Sequence, residues 1–215
     1  MDPAFRRRTE LGVKLAFLAV AGLVGVALLL LVWRDRSYEP IGEPVSQPIP
    51  FSHKHHVGDD GLDCRYCHAT VETSARAGLP GTAVCMGCHA QLYKDQPLLA
   101  ALRESQASGR PVPWQQVHQL PGFVYFDHHV HVNNGVACVE CHGRVDQMPL
   151  TWRAQPMQMQ WCLACHRNPA PHLHPRSQVF RMDTLPPTAD EARSLAALLR
   201  EHDRPRLTQC STCHR

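Results

Sequence analysis

The chain has 215 residues, a formal net charge of +3 and 44% hydrophobic residues, values that fit a folded protein and exclude a disordered or strongly charged one. Ten cysteines, fifteen histidines and eighteen prolines stand against six phenylalanines and four tyrosines, so the usual aromatic core is excluded and something else must fill the interior. Basic residues form no concentrated stripe beyond Arg6, Arg7 and Arg8, which argues against nucleic-acid binding.

In chain order, the first predicted element is a helix over the uninterrupted apolar run from Leu15 to Trp33. At 1.5 Å per residue it rises roughly 28 Å, about one bilayer core. Arg6, Arg7, Arg8 and Lys14 before it outnumber Arg34 and Arg36 after it, which predicts a cytoplasmic N-terminus and an exported remainder. A cleaved signal peptide also begins with a basic region, but this run is too long, and Arg34-Asp35-Arg36 stands where a small-residue cleavage site would be. Residues 1–36 therefore read as an anchor, with Ala21 and Gly25 spaced to let another helix approach.

Residues 37–50 hold four prolines between Tyr38 and Pro50 and read as a semi-rigid tether. From Phe51 a repeat is visible. Phe51-Ser-His53-Lys-His55-His56-Val57 opens one unit and Phe126-Asp-His128-His129-Val-His131-Val132 opens a second, with Val71-Glu72 and Val145-Asp146 matching further on. The modules span 51–95 and 126–170. Between them a helix is predicted from Pro97 to about Gln106. Thr188 and Glu191 form a capping box for another that runs through Leu195, Leu198 and Leu199. The rest reads as turn and loop with no strand.

All ten cysteines fall into five Cys-x-x-Cys-His motifs: Cys64/Cys67-His68, Cys85/Cys88-His89, Cys138/Cys141-His142, Cys162/Cys165-His166 and Cys210/Cys213-His214. This is the attachment signature of haem c: two thiols one turn apart for the two vinyl groups, and a histidine facing the iron. Two motifs fall in each module and the fifth stands in 203–215. Zinc would need four converging ligands and leaves five repeated histidines without a role, and local disulfides leave them equally unexplained. The predicted fold is thus mostly irregular with short α-helices, a multihaem cytochrome c whose core is five covalently bound haems, behind one transmembrane helix. With about one negative charge from each ferric haem, the loaded domain is near neutral or mildly acidic.

Five irons want five distal ligands. His53 with His56, and His128 with His131, sit three apart on one turn and can each reach a different iron, with Phe51 or Phe126 packed on a porphyrin face. His55 and His129 read as their solvent-facing neighbours, and His172 and His174 as surface residues of a rigid loop. The fifth ligand is His118, in an apolar stretch, or its rival Met159, which would raise one potential, with Met157, Met148 and His202 behind them. The alternative role for Met159 is packing.

These residues resemble a known family, the pentahaem cytochrome subunit of alternative complex III, a bacterial quinol:electron-acceptor oxidoreductase. The likeness rests on the anchor, the segment Phe51 to Val57, Pro113-Trp114 through His131, Met159 to Pro169 and Cys210 to Arg215. The modules are similar to those of the cytochrome c3 and c7 group. The resemblance implies an electron carrier without a catalytic residue of its own, in the bacterial cytoplasmic membrane with its haem domain periplasmic. Its implied partners are a polytopic quinol-binding subunit, a periplasmic iron-sulfur subunit of molybdopterin-enzyme type and a monohaem cytochrome c or terminal oxidase. A stand-alone quinol dehydrogenase of the anchored tetrahaem type and a catalytic multihaem reductase are the alternatives; the first is opposed by the fifth motif, the second by the histidines sufficient to close every iron.

Overall fold

A computed structural model describes residues 3–37, 40–184, 188–201 and 204–214. The chain divides into two units, residues 1–40 and 41–215. The first is a single helix, α1 (Pro3–Ser37), in which Thr9–Trp33 has a mean hydropathy of 2.9 and no buried part, long and apolar enough to cross a membrane.

Among the described residues the second unit is short helices and irregular chain with no strand, as the turn-rich sequence predicts. Its elements are α2 (Cys64–Cys67), α3 (Thr82–His89), α4 (Ala100–Ser108), α5 (His128–Asn133), α6 (Cys138–His142), α7 (Met159–Arg167), α8 (Ala189–Glu201), α9 (Arg204–Leu207) and α10 (Cys210–Cys213). Extended pairing is reduced to two isolated bridges, Pro44 with Trp152 and Val136 with Leu173. The second depends on Gly135, at φ +87°, where a Cβ would stand 2.8 Å from the carbonyl oxygen of His174.

The proline-rich stretch from residue 41 onward lies along the second unit instead of hanging free. Gly42 N donates to Arg153 O at 2.9 Å, Val45 N to Thr151 O at 3.1 Å, and Ile49 is buried. Ile49, Leu102 and Val112 make one small core under α3 and α4, joined by Cys85, Met86 and Trp114; Val71, Val132 and Val179 make the other, joined by Phe180. Two three-residue clusters are little for a unit of this length, whereas Tyr66, Tyr93, Phe123 and Tyr125 are all more than half exposed. Apolar surface has been placed around the cysteine motifs instead of in a common centre.

The predicted helices form. The one expected from Pro97 starts as a tight turn over Pro97–Leu99, continues as α4 and stops at Gly109, whose φ is +68°. The capping box ahead of α8 closes: Thr188 N donates to Glu191 Oε2 at 2.8 Å and Glu191 N to Thr188 Oγ1 at 3.4 Å. Leu195 is half-buried, and the side chains of Leu198 and Leu199 lie outside those described.

Candidate haem sites

Each cysteine pair is held on one helical turn, which brings both thiols and the following histidine to one side of the chain. The His68 and His214 amides donate to the carbonyls of Cys64 and Cys210, both at 2.8 Å, closing the turn within the motif. Asp63 caps α2 by accepting from Arg65 N at 2.8 Å, and the Arg65 guanidinium holds its carboxyl below the ordinary range. Around the second motif, Thr82 Oγ1 lies 2.6 Å from Ser105 Oγ of α4, fixing α3 on its support. No cysteine is bridged to another, and the ten stand as five separate pairs.

Four of the five motif histidines are oriented by backbone. Nδ1 of His68, His89, His166 and His214 donates to the carbonyls of Gly78 (2.7 Å), Leu92 (3.0 Å), Leu207 (2.8 Å) and Phe123 (3.1 Å). An imidazole that donates from Nδ1 carries its lone pair on Nε2, the state that binds a metal.

The two histidine pairs of the repeat are placed almost identically. Phe51 meets His53 edge-on at 4.9 Å and stacks on His56 at 4.5 Å; Phe126 meets His128 edge-on at 4.8 Å and stacks on His131 at 4.5 Å. The phenylalanines thus hold the imidazole rings in place. Nδ1 of His56 donates to Ser52 O at 2.9 Å and that of His131 to Asp127 O at 2.8 Å, the same offset in each copy. Nδ1 of His128 donates to Ala75 O at 2.9 Å, and that of His53 lies 2.9 Å from Thr151 Oγ1. The copies differ in one respect: the second lies on α5, whereas Lys54–Asp59 widens into a π turn, a form often found at functional positions.

An imidazole bonds a transition metal at roughly 2 Å, with its ring centre about 1.2 Å beyond the bonded nitrogen, so two rings opposed across one metal stand about 6.3 Å apart. Three pairs meet that spacing. His56 is 6.1 Å from His89, His131 is 6.0 Å from His166, and His128 is 6.3 Å from His142 with the rings within 8° of parallel. Around the first motif, burial first and neighbouring His68 next hold the pKa of His53 down at about 4. Burial likewise takes His142 down to about 3, and lowers His131. These rings are neutral at pH 7, as ligation demands.

His118 lies beside the third motif, its ring 4.4 Å from His142 and at 82° to it, too close for the two to oppose each other across one iron. Burial brings its pKa down to about 4, and its Nε2 is buried without a hydrogen-bond partner. Met159 heads α7, exposed, one turn ahead of Cys162. Met148 is fully buried, and Met157 sits at φ +49°. His202 lies outside the described residues. His55 is exposed beside Asp60, but His129 is only half-exposed and pairs with Asp127 at 2.6 Å.

His172 and His174 are not idle loop residues. They grip the two carboxylate oxygens of Glu140, each at 2.8 Å, and so tie the loop to the third motif. The available signal was Glu140 itself, an acidic residue between Cys138 and Cys141, opposite two histidines in a proline-stiffened loop.

The donor set fits haem c: thiols paired on single turns, imidazoles oriented through Nδ1, and ring pairs at metal-spanning distance. No family model matches the chain. A multihaem cytochrome c is nevertheless the class that motifs and comparison together support. Over 97 residues the chain is 41% identical to a protein of Nitratidesulfovibrio vulgaris (strain Hildenborough) described as menaquinone reductase, multiheme cytochrome c subunit. The match covers 45% of this chain and 45% of that protein, so the chain spans less than half the length of the curated relative it matches.

Proposed function

We propose that the chain carries five covalently bound haems c, one on each motif, and relays electrons within a quinone-linked respiratory complex of the bacterial cytoplasmic membrane. The observation that carries this is the three opposed imidazole pairs at 6.0–6.3 Å, each joining a repeat histidine to a motif histidine. When bound, haem c supplies reversible one-electron chemistry. The chain's own residues do the rest. Cys64, Cys67, Cys85, Cys88, Cys138, Cys141, Cys162, Cys165, Cys210 and Cys213 would attach the haems; His68, His89, His142, His166 and His214 would ligate their irons, and His53, His56, His128 and His131 would be the second ligands of the first, second, third and fourth irons. Bis-imidazole ligation closes an iron to substrates, which suits a carrier better than a catalyst.

Helix α1 serves as a single-pass anchor, with its N-terminus cytoplasmic and residues 41–215 periplasmic. The resemblance to the pentahaem subunit of alternative complex III suggests electrons from quinol oxidation, with an iron-sulfur subunit, a polytopic membrane subunit and a monohaem cytochrome c as partners. A second reading, favoured by the relative's name, has the same haems feeding menaquinone reduction. Intact mass should exceed that of the apo chain by five haems, and fewer would refute the attachment. Mass spectrometry of the co-purified complex separates the readings: a monohaem cytochrome partner supports the first and its absence the second.

A further inference from the structure

Order along the chain and order in space differ for these motifs. Tyr66, between the cysteines of the first motif, lies against the second: a Cβ on Gly87 would stand 3.6 Å from its hydroxyl. On its other side the first motif meets the third. Cys64 Sγ lies 3.8 Å from Phe180 O while Cys138 N donates to Val179 O at 3.1 Å, so the two motifs flank one dipeptide.

The contacts continue through the remaining motifs. Helix α5 joins the third to the fourth, carrying His128 at 6.3 Å from His142 and His131 at 6.0 Å from His166. From the fourth, His166 donates to Leu207 O on α9, three residues before the fifth motif begins.

From these contacts we propose that the five motifs stand in single file in the order second, first, third, fourth, fifth, so that electrons enter and leave at Cys85–His89 and Cys210–His214. The inference rests on the haem attachment proposed above. Exposure agrees with it: Cys88 and Cys210 are the exposed cysteines, one in each end motif, and the other eight are half-buried. The third motif, in the middle, is flanked by buried chain: Ala137, directly ahead of Cys138, is 1% exposed and Met148 just beyond it 2%. Partners therefore meet the second and fifth motifs, while the third is an obligatory inner relay that no partner touches.

The test is EPR of the fully oxidised, detergent-solubilised full chain. His56→Ala removes the distal ligand of an end iron and His131→Ala that of an interior one, and each leaves a fast-relaxing high-spin iron that shortens the relaxation of its low-spin neighbours. His56→Ala is expected to shorten one low-spin signal and His131→Ala two. Two or more affected signals in His56→Ala, or a single one in His131→Ala, would overturn the order. Intact mass on the same samples reads attachment separately: five haems with the wrong neighbour count sink the order alone, and fewer than five in the parent chain sink the attachment and the order together.

Discussion

Gly58→Ala tests how tightly the two modules are joined. Gly58 lies in the π turn that carries His56, and a Cβ there would overlap the carbonyl oxygen of Asp146 and sit 3.4 Å from its carbonyl carbon. The obstacle is backbone, in the turn Val145–Gln147 that also sets Met148, so no side-chain rotation relieves it. Met148 is 2% exposed and its carbonyl accepts from Lys54 N at 3.1 Å, in the same turn as Gly58. Forcing the turns apart costs about 1–3 kcal/mol for overpacking and roughly 1 kcal/mol more for the strained hydrogen bond. In a unit of this size that is a fall in Tm of about 5–10 °C. Gly61→Ala is the control: its φ is +70° but nothing lies within 4 Å, so only backbone strain of about 1 kcal/mol applies. Soret circular dichroism of the holoprotein during heating reads both. The reasoning fails if Gly58→Ala melts no lower than Gly61→Ala.

Three further outcomes are expected. His118→Ala should leave the third iron low-spin, because His128 already opposes His142 at 6.3 Å; a new high-spin signal would make His118 a ligand. Met159→Ala should open one iron without loss of covalent haem if this residue, one turn ahead of Cys162, completes the fifth iron; an unchanged spectrum leaves it a packing residue. N-terminal sequencing of the membrane-purified chain should begin ahead of Thr9, and a start beyond Trp33 would refute the anchor.

What the sequence disclosed and what it withheld divide by range of interaction. A Cys-x-x-Cys-His motif needs only one turn of chain, and a Phe-x-His-x-x-His segment only two, so their geometry is written locally and both copies adopt the expected shape. The capping box of Thr188 with Glu191 is local in the same sense. The proposed order of the motifs is not: it depends on Cys64 and Cys138, 74 residues apart, meeting one dipeptide at Val179 and Phe180 that carries no motif of its own. The tether went the same way, since Gly42 and Val45 find their partners at Arg153 and Thr151.

The repeat also explains why the second module docks where it does. His128 donates from both its backbone N and its ring Nδ1 to the carbonyl of Ala75, and His129 N donates to Ser74 O, in the loop just past the first module's first motif. The first module therefore supplies the acceptors that orient a proposed ligand of the second, while Thr151, after the third motif, stands at Nδ1 of His53 in the first. Each module's leading histidine is set by the other. Neither module on its own could orient its full set of ligands, so separating the duplicated halves should cost ligation before it costs attachment: cysteines need one turn, but the imidazoles opposite them need the partner module.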